Sequence, residues 1–162
     1  MKLAIGDRLP EATFLEKGVE GIAPVESRAL LAGRRVVLFG LPGAFTGVCS
    51  TQHLPSFIRV ADALRERGVD EIACVAVNDP HVMLAWGEAS GATKAGIRML
   101  ADPTAVFAKA LDVTFDNPAG GLYARSKRYS LLAEDGVVRL LNPETSRTSC
   151  EISGGETLLG QL

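Results

Sequence analysis

The apolar positions in the first half of the chain change from the period of a strand to the period of a helix. Residues 36–39 form a continuous run of branched and aromatic side chains, which predicts a short buried strand. A glycine- and proline-rich stretch, residues 40–43, then predicts a loop. From Cys49 to about Arg67 the apolar residues recur every three or four positions, which predicts a helix closed by Gly68.

The rest of the chain alternates predicted strands with predicted helices. Strands are predicted at residues 12–16, 71–77, 98–101, 128–133 and 137–141, helices at 80–91, 103–111 and 157–162, and a loop at 117–121. Asp79 and Asp102, each followed by proline, predict helix N-caps, and Asp135-Gly136 predicts a tight hairpin. Alternating strands and helices favour an α/β fold, to which the hairpin adds antiparallel strands. We therefore expect a three-layer domain with a mixed central sheet and flanking helices, an arrangement that is thioredoxin-like.

Length and composition are those of one ordinary globular domain. The chain has 162 residues, 47% of them hydrophobic and 22% charged, which predicts a single domain over residues 1–162. Its 17 basic and 19 acidic residues give a net charge of −2 and form no basic stripe for nucleic acid. No apolar run approaches the roughly 20 residues that span a bilayer, and no signal-peptide pattern is present. We expect a cytoplasmic protein that binds neither nucleic acid nor membrane.

The three cysteines, Cys49, Cys74 and Cys150, are scattered along the chain. A small and odd number of cysteines does not fit a secreted scaffold held by disulfides. No C-x-x-C motif occurs, which argues against both a zinc knuckle and a thioredoxin-type disulfide reductase. The pattern favours one or two working thiols.

Cys49 lies where the predicted loop enters the predicted helix, a position that favours a reactive thiol. Free N–H groups and the positive end of the helix dipole stabilise an anion there, and the thiolate is the reactive form. Thr46 lies one turn earlier, so its hydroxyl can face the sulfur, and Pro42 can exclude water without offering an N–H. The alternative is a buried cysteine that acts as a small hydrophobic residue. The polar neighbours at 50–52 argue against that alternative.

The spacing Pro42-x-x-x-Thr46-x-x-Cys49 resembles the signature of the peroxiredoxins. The longer runs Pro42-Gly43-Ala44-Phe45-Thr46, Cys49-Ser50 and His53-Leu54-Pro55 resemble the atypical two-cysteine, type II (type five) subfamily. The family has a proline after the threonine, where this chain has Gly47, a change that loosens the loop and removes no reacting group. The resemblance covers nearly the whole chain and implies the thioredoxin-like fold.

The resemblance also implies an active-site cation. Taken alone, Arg128 is typical of a solvated charge at the start of a strand. Its context, Lys127-Arg128-Tyr129, resembles the basic-basic-aromatic segment that carries the arginine of this family. Such a cation beside Cys49 would favour the thiolate and bind peroxide oxygens as the O–O bond breaks. Arg125 and Arg147 are weaker candidates for the same role.

His53 and Gly43 are expected to support the site. His53 follows Cys49 by four residues, which places both on one face of a helix. Two lone ligands make a poor zinc site, and the chemistry of the family needs no histidine base. The resemblance implies no metal, haem or flavin.

Cys150 is the candidate for a resolving thiol. It lies in a polar, accessible loop before the last predicted helix, and animal type five members carry a resolving cysteine near this point. An incidental surface cysteine is the alternative, since many bacterial relatives have an aromatic residue there. Cys74 is typical of a core cysteine in a buried strand, although some plant type II members carry a second cysteine at this position.

These inferences predict a thiol-dependent peroxidase. It would reduce hydrogen peroxide or alkyl hydroperoxides through a sulfenic acid at Cys49. The resemblance implies recycling either by Cys150 and thioredoxin or by glutathione and glutaredoxin, and it implies a homodimer. The alternative of another class is a non-catalytic redox sensor or chaperone that is oxidised at Cys49.

Overall fold

A seven-stranded mixed sheet forms the centre of the fold in a computed structural model that describes residues 1–146 and 148–162. The described residues form nine strands: β1 (Thr13–Gly18), β2 (Gly21–Glu26), β3 (Arg35–Gly40), β4 (Glu71–Ala76), β5 (Arg98–Ala101), β6 (Thr114–Asn117), β7 (Leu122–Ser126), β8 (Tyr129–Glu134) and β9 (Val137–Pro143). The sheet order is β2-β1-β5-β4-β3-β8-β9. Strands β3, β4 and β5 are parallel, and the other pairs are antiparallel, so the predicted mixed sheet is confirmed.

Helices cover both faces of this sheet. They are α1 (Ser27–Leu31), α2 (Leu54–Glu66), α3 (Pro80–Ser90), α4 (Val106–Ala110) and α5 (Gly155–Gly160). Alternate residues of β3 enter two separate cores. Val37 and Phe39 pack in a cluster with Phe57 of α2, whereas Val36 belongs to the cluster of Phe107 of α4. The three-layer α/β arrangement is therefore confirmed.

Most helix boundaries differ slightly from the predicted ones. The Asp79 carboxylate accepts hydrogen bonds from the first N–H groups of α3, which confirms that N-cap. The helix after Asp102 begins at Val106 rather than at residue 103, because Ala105 adopts a positive φ of 56°. Asp102 still accepts from the N–H groups of Phe107 and Ala108, across that turn. The last helix begins two residues earlier than predicted.

A second, two-stranded sheet lies where only a loop was predicted. Strands β6 and β7 pair antiparallel around a 3₁₀ turn at Pro118–Gly120. This ribbon is half-exposed and lacks the apolar alternation of a buried strand, so its pattern gave no strand signal. It matters because β7 brings Arg125 to the rim of the candidate site.

The predicted hairpin between β8 and β9 is confirmed. Asp135 and Gly136 both have a positive φ, 48° and 75°, as a type I′ turn requires.

In the part of the chain that the structure describes, no helix has the length and apolar character needed to cross a membrane.

Candidate active site

Cys49 lies in a π-helical turn after the carboxyl end of β3. The loop at 41–46 leaves β3 at Gly40, and the π-helical turn at Cys49–His53 precedes α2. The Leu54 N–H donates to the Cys49 carbonyl, an i→i+5 bond that defines such a turn. The prediction of a regular α-helix from Cys49 is therefore wrong over its first turn. The Cys49 side chain is only 1% exposed.

Arg128 reaches Cys49 because β8 lies beside β3 in the sheet. The antiparallel register pairs Gly40 with Tyr129, so the residue before β8 lies level with the end of β3. Arg128 Nη2 donates to Cys49 Sγ over 3.5 Å. The arginine is 3% exposed, and its Nε and Nη1 atoms have no hydrogen-bond partner among the described residues. A buried guanidinium at this distance stabilises negative charge on the sulfur and has donors left for a second ligand.

Thr46 and Pro42 line a cavity together with Cys49 and Arg128. The cavity has a volume of about 350 Å³, and Val48, Phe115 and Leu122 add apolar surface to it. The Thr46 hydroxyl donates to the Gly43 carbonyl over 2.8 Å. Its single proton is thus committed, and towards a ligand in the cavity the oxygen can only accept a hydrogen bond. A larger cavity of about 500 Å³, lined in part by Arg8 and Asp135, contains none of the predicted site residues.

Arg125 contacts the loop that follows β3. Arg125 Nη1 donates to the Pro42 carbonyl over 3.2 Å and lies 3.4 Å from Asn78 Oδ1. The same Asn78 oxygen accepts from the Ala44 N–H over 2.9 Å. A Cβ atom added to Gly43 would overlap Arg125 Nη1, so the arginine would have to move if position 43 carried a side chain. Arg125 and Asn78 therefore hold this loop from one side.

Sequence reasoning did not select Asn78. The available signal was its position two residues after the end of β4, the parallel neighbour of β3, because the carboxyl ends of parallel strands meet at one edge of a sheet. Arg147, the other arginine considered for the cation, lies outside the described residues.

His53 is the last residue of the π-helical turn, and its side chain is fully buried. Its ring contacts those of Phe39 and Phe57, with centroid distances of 5.2 and 5.6 Å. Burial, and then the charge of Arg128, lowers the pKa of His53 to about 3. The ring is therefore neutral, and since a carbonyl can only accept, Nε2–H donates to the Ser153 oxygen over 3.0 Å. Among residues 1–146 and 148–162, no three side chains of the metal-binding types come together.

The other two cysteines occupy different environments. Cys74 is fully buried in β4, opposite Phe39 in the register, and burial raises the pKa of its thiol well above the usual value. Cys150 is half-buried, and burial raises its pKa as well, while the positive charge of Arg128 acts in the opposite direction. Its sulfur lies 3.9 Å from Ser153 Oγ. All three cysteines are free thiols.

Comparisons with known proteins agree over nearly the whole chain. The model of the redoxin family matches residues 4–159. Peroxiredoxin-2C of Oryza sativa subsp. japonica is 42% identical over 161 residues, which cover 99% of this chain and 98% of that protein. The chloroplastic peroxiredoxin-2E-2 of the same plant is 44% identical over 160 residues, which cover 96% of this chain and 71% of that protein. The crystal structure of reduced Prx3 from Vibrio vulnificus in complex with H2O2 has a TM-score of 0.92 and 46% identity, with 98% of both chains covered.

Proposed function

The chain belongs to the redoxin family as a peroxiredoxin, a thiol-dependent peroxidase, and we propose that Cys49 is its peroxidatic cysteine. The observation that carries this proposal is the contact between the buried Arg128 guanidinium and Cys49 Sγ. The Cys49 thiolate attacks the distal oxygen of a hydroperoxide, the O–O bond breaks, and an S–O bond forms. The leaving oxygen takes a proton and departs as water or an alcohol, and Cys49 becomes a sulfenic acid.

Arg128, Thr46 and Pro42 position the peroxide in this proposal. The unpartnered Nε and Nη1 donors of Arg128 bind the peroxide oxygens, where negative charge develops as the bond breaks. Thr46 Oγ1 accepts the hydrogen bond of the peroxide O–H, because its own proton is held by Gly43. Pro42 closes the cavity without a competing N–H. The apolar part of the lining suits an alkyl hydroperoxide as well as hydrogen peroxide.

The sulfenic acid is then reduced by a second thiol. We assign this role to Cys150, with thioredoxin as the reductant of the resulting disulfide, and the other route is direct attack by glutathione with glutaredoxin. Residues 1–162 act as one thioredoxin-like domain, in a homodimer in the cytoplasm. Apolar side chains exposed beside the candidate site, Phe45 and Tyr123, are consistent with a subunit contact there.

The experiment that tests this function is the mass of the reduced protein after one equivalent of H2O2, followed by peptide mapping. Loss of two hydrogens with a Cys49–Cys150 peptide supports the two-cysteine cycle. One added oxygen on Cys49, trapped by glutathione when it is supplied, supports the one-cysteine route and leaves Cys150 incidental. If Cys49 stays reduced while another thiol reacts, the proposal is wrong. Absence of sustained turnover with any reductant, together with a stable client complex, would instead support a redox sensor.

A further inference from the structure

The carboxylate of Glu144 is surrounded by donors from the segment that follows Cys150. Glu144 Oε2 accepts from the N–H groups of Glu151, Ile152 and Ser153, at 3.0, 3.0 and 3.1 Å. It also accepts from Ser153 Oγ over 3.1 Å. Its own N–H donates to the carbonyl of Arg128 over 2.9 Å. One carboxylate oxygen thus binds three consecutive backbone N–H groups of residues 151–153.

The other side of this segment rests on the helix that carries Cys49. The Ser153 carbonyl accepts from His53 Nε2, at the end of the π-helical turn. Two residues later, the Gly155 N–H donates to Ser56 Oγ over 2.9 Å, and Ser56 Oγ donates to the His53 carbonyl. Glu144 therefore holds residues 151–153 against the back of the candidate site, with Cys150 at the edge of the held segment.

We propose that Glu144 is a latch that keeps Cys150 docked away from Cys49 and thereby limits the rate at which Cys150 resolves the sulfenic acid. This inference rests on the proposed role of Cys150 as the resolving thiol. In the resolving step the Cys150 thiolate attacks the Cys49 sulfenic sulfur, an S–S bond forms, and the S–O bond breaks. The oxygen takes a proton and leaves as water.

The docked arrangement opposes this step in two ways. The two sulfurs must approach to about 2 Å, whereas the hydrogen-bond partner of Cys150 Sγ in the docked segment is Ser153 Oγ. Burial also keeps the pKa of the docked Cys150 raised, so its thiolate fraction is small until the segment opens.

Glu144 stays ionised while it holds the segment. Burial alone would raise the pKa of Glu144, but the hydrogen bonds from Ser153 and its neighbours lower it below the usual value. Four N–H and O–H donors of residues 151–153 surround the charged carboxylate oxygen. Hydrogen bonds to a charged acceptor are the strong ones, which suits a latch.

The test compares Glu144→Ala and Glu144→Gln with wild type, and uses Glu151→Ala as the matched control. Glu151 carries the same charge next to Cys150, and its carboxylate makes no hydrogen bond with the described residues. Two rates are measured: alkylation of Cys150 in the reduced protein across a pH series, and formation of the Cys49–Cys150 disulfide in a single turnover with H2O2. At high pH the Cys150 thiol is fully ionised, so the plateau of the alkylation rate reports the exposure of Cys150 and no longer depends on its pKa.

We expect both rates to rise about tenfold in Glu144→Ala and less in Glu144→Gln, which keeps one acceptor oxygen. Glu151→Ala should behave as wild type, and the rate of Cys49 oxidation should be unchanged in every variant. A general loss of structure would instead slow Cys49 oxidation. Ser153→Ala, which removes one of the four bonds, should give a smaller rise and provides a second variant if Glu144→Ala folds poorly.

The latch is wrong if Glu144→Ala leaves the high-pH alkylation rate of Cys150 at the wild-type value, or if it speeds alkylation while disulfide formation is unchanged. It is also wrong if Glu151→Ala has the same effect as Glu144→Ala. If wild type forms no Cys49–Cys150 disulfide at all, the proposed resolving role fails. The alkylation series still shows in that case whether Glu144 holds the segment.

Discussion

Replacing Gly43 with alanine tests whether the contact between Arg125 and the loop after β3 positions Cys49. The added Cβ atom would overlap Arg125 Nη1 and would lie 3.2 Å from Asn78 Oδ1. Gly43 has no positive φ, so the substitution strains no backbone angle. The half-exposed arginine is the group that must move, and it loses its hydrogen bonds to Pro42 and Asn78 when it does so.

The size of the effect follows from those two bonds. Hydrogen bonds with a charged partner contribute about 1.5–3 kcal/mol each, but these two are long and half-exposed, so we assign about 2 kcal/mol to the pair. Replacing glycine with alanine restricts the unfolded chain, which stabilises the folded protein by about 0.5 kcal/mol. The net loss of stability should be about 1.5 kcal/mol, or roughly 3–6 °C in Tm for a protein of this size. Because the loop carries Pro42 and Thr46, kcat/KM for H2O2 should fall by about tenfold or more.

Urea unfolding and stopped-flow peroxide kinetics measure both effects, and the chain supplies a matched control. Gly47 directly follows this loop, has no positive φ, and an added Cβ would meet nothing within 4 Å, so Gly47→Ala should retain the stability of wild type. Repeating Gly43→Ala in an Arg125→Ala background completes a double-mutant cycle. There the substitution should cost almost nothing, because the clashing side chain is gone.

Two results would refute this reasoning. If Gly43→Ala is equally destabilising with and without the Arg125 side chain, the clash with that side chain is not the cause. If it displaces Arg125, as judged by equal stability losses in the two single variants, and yet leaves kcat/KM unchanged, then the Arg125 contact does not position the site.

Three further predictions concern the cation, the buried histidine and the contact between α5 and α2. Arg128→Met should lower kcat/KM for H2O2 by about 10²–10³-fold, measured by stopped-flow fluorescence, because it removes the donors that lie beside the sulfur. His53 has its pKa lowered from 6.5 to about 3, so the unfolded chain binds a proton that the folded protein does not, and stability falls as pH falls through that window. Urea titrations at pH 6.5 and 4.5 should show that His53→Gln removes a loss of roughly 2 kcal/mol. Gly155→Ala should cost about 2–3 kcal/mol of unfolding free energy, since its Cβ would lie 2.7 Å from the Ser56 carbonyl oxygen, whereas Gly154→Ala, with its nearest contact at 3.8 Å, should be nearly neutral.

The central strands were predictable because they are buried on both faces, so that consecutive residues in them are apolar. Residues 36–39 and 72–76 are apolar on both faces, as strands covered by helices on both sides must be. The ribbon β6–β7 was not predictable, because it is half-exposed and its side chains follow no two-residue alternation. The π-helical turn was missed for another reason. Over five residues, apolar spacing cannot separate 3.6 residues per turn from a wider turn.

The candidate site divides in the same way. Cys49 and Thr46 were found because they are close in sequence and share one loop. Arg128 needed the resemblance to a known family, since nothing in its local sequence distinguishes it from a solvated charge. Asn78 was missed although its position after β4 was a usable signal, whereas Glu144 had no such signal, because it acts through backbone groups of a segment that only the folded chain brings near.

The pairing of β3 with β8 has a consequence for how the protein is made. Cys49 and Arg128 are separated by 79 residues, and their contact depends on the antiparallel pairing of β3 with β8. At about 5–20 residues per second, roughly 4–16 s pass between the synthesis of the cysteine and that of the arginine. During that time the ribosome-bound chain carries the thiol without the guanidinium. We therefore expect the nascent polypeptide to be far less sensitive to peroxide than the finished enzyme, so the order of synthesis protects the cysteine while the protein folds.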